Sequence, residues 1–476
     1  MPSNILIILF LLNTLFSIKI ILSHRKRPGT SWAWLMLLFF MPFFGFFIYL
    51  LFGLEGRTHK NFIKKYSSDK KILAMLHTDE DFKILRDASD LQSNLAAFNL
   101  RVADSNVTND NDVKFYHEGN DKFDDLIQDM NSAKEFIHVQ YYILKNDQLG
   151  RRIINILAKK AEEGVEVRLL IDKLGSRLVS AKILRPLISA KGQVVTFQAP
   201  HIMKLNYRNH RKICIIDGHT GYIGGFNIGN EYLGKVKRFG YWRDCHMRIH
   251  GSATKDLEAR FAMDWNYSSK KDKIEISPFY FPDHASNQTI SIKRGTTLQI
   301  VGSGPDTKHF CIQYAYLKMI AGAKKNIYIQ TPYFIPDDSI LDMLVVAVHS
   351  GIDVKIMIPS RPDHPFVYHA ALSYLGELID AGAKCYGYKK GFVHSKLVLI
   401  DGEVASVGTA NMDIRSLKLN FEINAFLYDK KSVEFLENKF MVDISHSQLM
   451  DSDWYHSLPR CTKIKESLCR LVSPLL

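Results

Sequence analysis

Two short runs of this chain carry the same three charged residue types at the same spacing. His210, Lys212 and Asp217 frame HRKICIID, and His394, Lys396 and Asp401 frame HSKLVLID. The residues before each aspartate are apolar and read as a buried strand. Side chains alternate along a strand, so each histidine shares a face with its lysine, while the aspartate faces the other side. His and Lys are therefore expected to form the reactive pairs, and Asp217 and Asp401 to fix the strand ends through hydrogen bonds. The match continues downstream: after the same gap, GGFN ends at Asn227 and GTAN ends at Asn411. The unit H-x-K-x4-D-x6-G-[GT]-x-N thus occurs twice, beyond coincidence for a chain of this length.

A phosphodiester is the group that needs two imidazoles, two ammonium groups and two amides. Its non-bridging oxygens gain charge in the transition state. Lys212 and Lys396 can neutralise that charge, and Asn227 and Asn411 can donate hydrogen bonds to it. One neutral histidine can attack phosphorus, and the other, protonated, can donate to the leaving oxygen. The intermediate would be a covalent phosphohistidine, released when an acceptor attacks with the second histidine as base. Such a division of labour needs different protonation states for similar residues, set by neighbouring carboxylates. Asp244 in YWRDCHMRI and Glu422 in LNFEINAFL are the candidate orienting groups, although they follow Asp217 and Asp401 at different distances.

The elements that must bring these motifs together are themselves duplicated. SAKEFIHVQYYI from Ser132 matches GAKKNIYIQTPYFI from Gly322, and GVEVRLLID from Gly164 matches GIDVKIMIP from Gly351. The offsets, with that of the two His motifs, are 190, 187 and 184 residues, so order and spacing are both kept. Strands alternating with helical segments indicate α/β units. Two such units predict a pseudo-twofold arrangement with facing sheets and one site on the axis. Two independent sites are the alternative.

Composition bounds the rest. The chain has 476 residues, 46% hydrophobic and 23% charged, which suits two or three cored domains rather than disorder. The formal net charge of +13 favours an anionic partner: nucleic acid, anionic lipid or a phosphorylated substrate. The six cysteines form no CxxC or Cys/His cluster, so neither a disulfide framework nor a structural metal is expected. Ile5–Leu22 and Trp32–Leu54 are apolar runs of near-spanning length with Trp32, Trp34 and Tyr49 near their ends. They are read as a retained two-helix transmembrane hairpin rather than a cleaved signal, which would need a basic start and a small-residue cleavage site. Arg25–Arg27 and the basic residues from Arg57 to Lys65 pull the orientation both ways; the larger later cluster favours a cytoplasmic body.

The expected domains are 1–56, two transmembrane helices; 57–110, a linker and helical approach segment; 111–290, the first repeat; and 291–476, the second repeat with a C-terminal segment. HPFVYH from His364 is read as a loop that could line a lipid entrance, and RFGYWR from Arg238 as a candidate headgroup contact. In the closing CTKIKESLCRLVSPLL, Ile464, Leu468 and Leu471 share a helical face that is expected to dock on the catalytic body.

The repeated unit resembles the HKD motif of the phospholipase D superfamily. The N-terminal runs ending in PFFGFFIYLLFG, together with GGFNIGNEY, YWRDCHMRIHG, GTANMDIRSLKLNFEIN and the closing SPLL, are similar to bacterial cardiolipin synthases of the phospholipase D type. That resemblance implies two phospholipase D-like α/β repeats and a multi-pass protein of the bacterial cell membrane. It implies phosphatidyl transfer from one phosphatidylglycerol to another, giving cardiolipin and glycerol, with no cofactor and no metal. Partners would be membrane phospholipids and the bilayer, with no nucleic acid. The resemblance assigns the nucleophile to His210 and the acid/base to His394; the spacing assigns neither. One departure stands out: the Ser common after the motif glycine is Gly225 in the first copy and Thr409 in the second. Hydrolysis by the same site, as in a phospholipase D, remains the alternative activity, because acceptor choice depends on pocket shape and water exclusion. A nuclease fits the charge but not two membrane spans, and a lipid-binding scaffold would have no use for paired His and Lys.

Overall fold

The apolar runs after the two His-Lys pairs form the strands Ile213–Ile216 and Leu397–Ile400, all of whose residues are buried. The computed structural model describes residues 3–22, 28–49, 56–76, 88–198, 207–282 and 295–473. The basic cluster Arg25–Arg27, the 290/291 domain boundary and the closing 474–476 lie outside the described residues. The chain forms two compact units, Met1–Lys64 with Ala199–Tyr207, and Lys65–Gln198 with Arg208–Leu476.

The larger unit is built on a sheet whose order reads as a palindrome. From one end it runs Gln193–Phe197, Glu166–Asp172, Phe136–Tyr141, Ile213–Ile216, Thr220–Gly224, His246–His250 and Val107–Tyr116. From the other, inside the edge strand Ser447–Met450, it runs Lys384–Tyr388, Asp353–Pro359, Asn326–Gln330, Leu397–Ile400, Val404–Gly408, Glu422–Leu427 and Thr296–Ser303. The two series meet where Val107–Tyr116 pairs antiparallel with Thr296–Ser303 across an irregular register. The duplication is therefore a pseudo-twofold in the structure. The sheets are not two separate facing layers, as the repeats predict: they are continuous through one shared edge. The sheet is also folded on itself, since Thr220–Gly224 approaches Val404–Gly408 and Glu422–Leu427.

Each repeat has its own apolar core. One centres on Ile137, Val139, Leu157, Leu169 and Leu187, the other on Ile327, Ile329, Leu344, Ile356 and Leu375. Repeated glutamines mark equivalent places: Gln140 Nε2 donates to Asp264 at 2.7 Å and Gln330 Nε2 to Asp443 at 2.9 Å. The segment 57–110, read as a linker and helical approach, is largely helical where it is described. Its helix Asp90–Ala103 starts with a capping box at Ser89 and buries Leu91, Leu95 and Ala96 in the core of the second repeat. The first strand of the sheet already begins at Val107, ahead of the expected boundary at 111.

In the smaller unit the first apolar run is the helix Ser3–Ile21. The second is two helices, Pro28–Phe40 and Pro42–Ile48, because Pro42 lacks an N–H and starts a new helix. Asn13 Nδ2 donates to the Pro42 carbonyl at 2.9 Å, which gives this polar residue its place inside an apolar run. Among the described residues no helix is long and apolar enough to cross a membrane.

HPFVYH is the start of the helix Pro365–Ala381, with His364 just ahead of Pro365, rather than a loop. The closing helix Arg460–Val472 does pack on Pro365–Ala381, but Ile464, Leu468 and Leu471 are exposed, so it docks through its other face.

Candidate active site

Both His-Lys pairs sit just ahead of their strands, in extended segments tied to the opposite repeat. The His210 N–H donates to the Phe421 carbonyl at 2.9 Å and the His394 N–H to the Arg243 carbonyl at 2.7 Å. Gly391–Val393 pairs in parallel with Tyr241–Arg243, and Asn209 bridges to Phe421. Each motif is thus stitched to the segment that carries the other repeat's candidate carboxylate.

The carboxylates follow that stitching. Glu422 of the second repeat accepts from His210 Nδ1 at 3.0 Å. Asp244 of the first repeat accepts from His394 Nδ1 at 2.6 Å. With Nδ1–H held by a carboxylate, the lone pair of each ring lies on Nε2. His210 and His394 line one cavity of about 730 Å³, together with Asn227 and Asn411. Motifs remote in sequence therefore meet at one site, and the two-site alternative is removed.

Burial drives the electrostatics. It pushes His210 down to about 4, against the pull of Glu422 and with help from Lys212. It pushes His394 down to about 4 as well, with help from Lys396 and against Asp244. Burial also opposes the charge on Asp244 and Glu422, but the adjacent His394 and Lys396, and His210 and Lys212, outweigh it and hold both carboxyls below their usual range. Lys212 falls to about 7 and Lys396 to about 8, first through burial; for Lys212 the charge of Lys396 adds to this. Both imidazoles are therefore neutral at neutral pH, and the difference in protonation expected between the two histidines is not set by their carboxylates alone.

The remaining motif residues are placed as follows. Lys212 Nζ donates to the His210 carbonyl at 2.6 Å, and Lys396 Nζ contacts both His394 Nδ1, at 2.9 Å, and the His394 carbonyl. Asn227 Oδ1 accepts from the Ile143 N–H at 3.1 Å, while its Nδ2 donates to the Tyr232 hydroxyl. Asp217 and Asp401 are remote from the cavity. Asp217 accepts the N–H groups of Lys134, Glu135 and Phe136 at 2.8–2.9 Å, and Asp401 those of Lys324, Lys325 and Asn326 at 2.7–2.8 Å. Both take positive φ, 50° and 58°, where the chain turns out of its strand. Neither lines the cavity, and through these bonds both fix the ends of their strands.

The Gly225/Thr409 departure has a steric cause. Thr409 Oγ1 donates to Glu422 Oε2 at 2.5 Å. At Gly225, a Cβ would lie 1.9 Å from Asp244 Oδ1. The shorter carboxylate thus occupies the space that a side chain fills in the other copy.

Several residues of the site escaped the sequence reading. Tyr142 packs edge-on against His210 with centroids 4.9 Å apart; Trp242, within the RFGYWR run already read as a headgroup contact, lies 5.2 Å from His394. Arg208 and Arg415 line the same cavity. Arg208 could have been found, since it precedes His210 by two residues in an extended run. Arg211 faces away and pairs with Asp264 at 2.7 Å, as Arg243 does with Asp443. Among the described residues no group of three or more His, Cys, Asp or Glu is arranged to hold a metal ion.

Two crossed His–carboxylate pairs around one cavity, on a palindromic α/β sheet, define a phospholipase D-like site. A family model described as "Cardiolipin synthase, PLD-like domain" matches residues 126–265 and 316–444, and the chain belongs to that family. A second model, "Phospholipase_D-nuclease N-terminal", matches residues 5–53. A cardiolipin synthase of Staphylococcus aureus is 46% identical over 100% of this chain and 97% of its own length. One from Listeria welshimeri is 44% identical over 99% of both chains. Among solved structures, a phosphatidylserine synthase of Haemophilus influenzae shares the fold, with a TM-score of 0.59 at 16% identity, covering 76% of this chain and 95% of that one.

Proposed function

We propose that this protein is a cardiolipin synthase: it moves a phosphatidyl group from one phosphatidylglycerol to the hydroxyl of another, releasing glycerol. The observation that carries this reading is the single cavity in which both histidines present Nε2 while a buried carboxylate of the opposite repeat holds each Nδ1. His210 Nε2 attacks phosphorus, and the P–O bond to the leaving glycerol breaks as His394 gives that oxygen its proton. The acceptor hydroxyl then loses its proton to His394 and attacks the phosphohistidine, freeing His210. The division of labour arises on binding: a phosphodiester anion offsets the burial that keeps His394 neutral, so proton uptake accompanies substrate. Lys212 and Lys396 act as buried charge close to the reacting oxygens, and Asn227 and Asn411 lie on the wall that would receive them. The scheme uses no nucleotide and no metal.

The N-terminal segments are read as a membrane hairpin that anchors the catalytic body to the bacterial cell membrane, with the body on the cytoplasmic side. In support, Phe10, Leu15, Phe39, Phe40 and Phe44 all project outward from these helices.

The test is product analysis with labelled phosphatidylglycerol in membranes, without nucleotide or added metal. Free glycerol together with a four-chain diphosphatidyl product is the expected result. Phosphatidic acid and glycerol alone would establish a phospholipase D and overturn the synthase reading.

A further inference from the structure

The closing helix Arg460–Val472 presents two unlike faces. The docked face buries Cys469, sets the Arg470 guanidinium 4.5 Å from the Tyr374 ring and 2.8 Å from Glu377, and places Glu466 where it accepts from the Tyr455 hydroxyl at 2.9 Å. The outer face carries Ile464 and Leu468, each 61% exposed, and Leu471, 78% exposed. At about 100° per residue these three fall in one arc, with Arg460 and Lys465 on its two edges. The helix's one carboxylate, Glu466, is on the docked side.

Position links this stripe to the chemistry. Ser473, which caps the helix, is buried, bonds the Tyr374 hydroxyl at 2.9 Å and lines the catalytic cavity. The neighbouring helix also contributes its first turn, where His364 and Val367 line the cavity and Phe366 between them is 67% exposed. Two helices that carry exposed apolar side chains thus each reach the cavity wall at one end.

The flanking charge decides the occupant. An apolar stripe edged by cations fits the headgroup boundary of an anionic bilayer. A second copy of the same face would set Arg460 and Lys465 against cations of their own kind, which is unfavourable in partly desolvated contact.

We propose that Arg460–Val472 lies in the plane of an anionic bilayer, inserting Ile464, Leu468 and Leu471, and so holds the cavity wall against the surface that supplies its lipids. This rests on the phospholipid reading of the site. The helix then adds a contact with the membrane that is separate from any N-terminal anchor.

Cys461 permits the test on the full chain, because it is the one exposed cysteine among the described residues and lies on the same helix. The protein is labelled there with an environment-sensitive fluorophore and reconstituted into vesicles of phosphatidylglycerol and phosphatidylcholine. Nitroxide carried on shallow lipid positions should quench the label, and aqueous iodide should not. Ile464→Glu with Leu468→Glu should abolish nitroxide quenching and raise the surface KM on vesicles by about tenfold. The same variant should leave turnover of a dispersed short-chain phosphatidylglycerol unchanged, which also shows that it folds. Leu468→Met should behave as the parent. Equal iodide quenching in vesicles and detergent, or quenching indifferent to the double substitution, would overturn the proposal, as would efficient Cys461–Cys461 cross-linking that vesicles do not compete away. A hydrolytic product profile with nitroxide quenching intact would remove the synthase reading and leave the docking.

Discussion

Glu422→Gln tests the crossed arrangement most directly. The Glu422 carboxylate is fully buried, lies 3.0 Å from His210 Nδ1 and also accepts from Thr409. An amide can keep its oxygen between hydroxyl and imidazole, so the geometry survives and the charge is what is lost. A hydrogen bond to a charged partner contributes about 1.5–3 kcal/mol more than its absence, which corresponds to a roughly 10- to 150-fold slower step. Of the influences on His210, Glu422 is the largest that raises its affinity for protons, so without it the imidazole should titrate still lower than about 4. Two measurements check this. Rapid mixing with labelled phosphatidylglycerol, quenched in alkaline denaturant that preserves the P–N bond, should show phosphoenzyme formation slowed by that factor. Carbethoxylation of each histidine against pH, read by mass spectrometry, should show the His210 midpoint moving down and the His394 midpoint unchanged. Movement of His394 with His210 fixed would refute the crossed assignment, and unchanged phosphoenzyme kinetics would refute the role given to the carboxylate.

Asp244→Asn should lower the His394 midpoint and leave that of His210 unchanged, slowing both the step in which His394 gives a proton and the step in which it takes one. kcat/KM should fall as pH rises through about 7–8, because Lys212 and Lys396 titrate there and each proton lost removes a cation that favours the anionic substrate; a profile flat to pH 9 would remove them from binding. Gly225→Ser should cost activity by displacing Asp244, and the His394 midpoint should move while that of His210 does not. Asp217→Ala should lower stability by about 2 kcal/mol by leaving backbone N–H groups without their acceptor, with turnover per folded molecule near the parent value in chemical denaturation and activity assays.

The repeats were legible because a buried strand demands apolar residues, so four-residue runs opened by His and Lys stand out against it. The roles of Asp217 and Asp401 followed from strand alternation alone, and the carboxylates bear out that geometry. What alternation could not supply was the partner of each carboxylate. Asp244 and Glu422 reach across to histidines 150 and 212 residues away, and that pairing depends on how two sheets fold on each other. The continuous sheet was hidden for the same reason, since the joining strand Val107–Tyr116 is largely polar and straddles the boundary read at 110/111. The exposed face of the closing helix was misjudged because periodicity identifies an apolar stripe without saying which way it turns.

The exchange of carboxylates has a consequence for descent. A lone ancestral half would have owned a histidine and an acid that could not serve each other, and only pairing with a twin would have completed two identical stations. Within one chain the two stations need not stay alike: one has a short acid against a bare glycine and the other a longer acid braced by a threonine hydroxyl, unlike seats for the unlike steps of the proposed transfer.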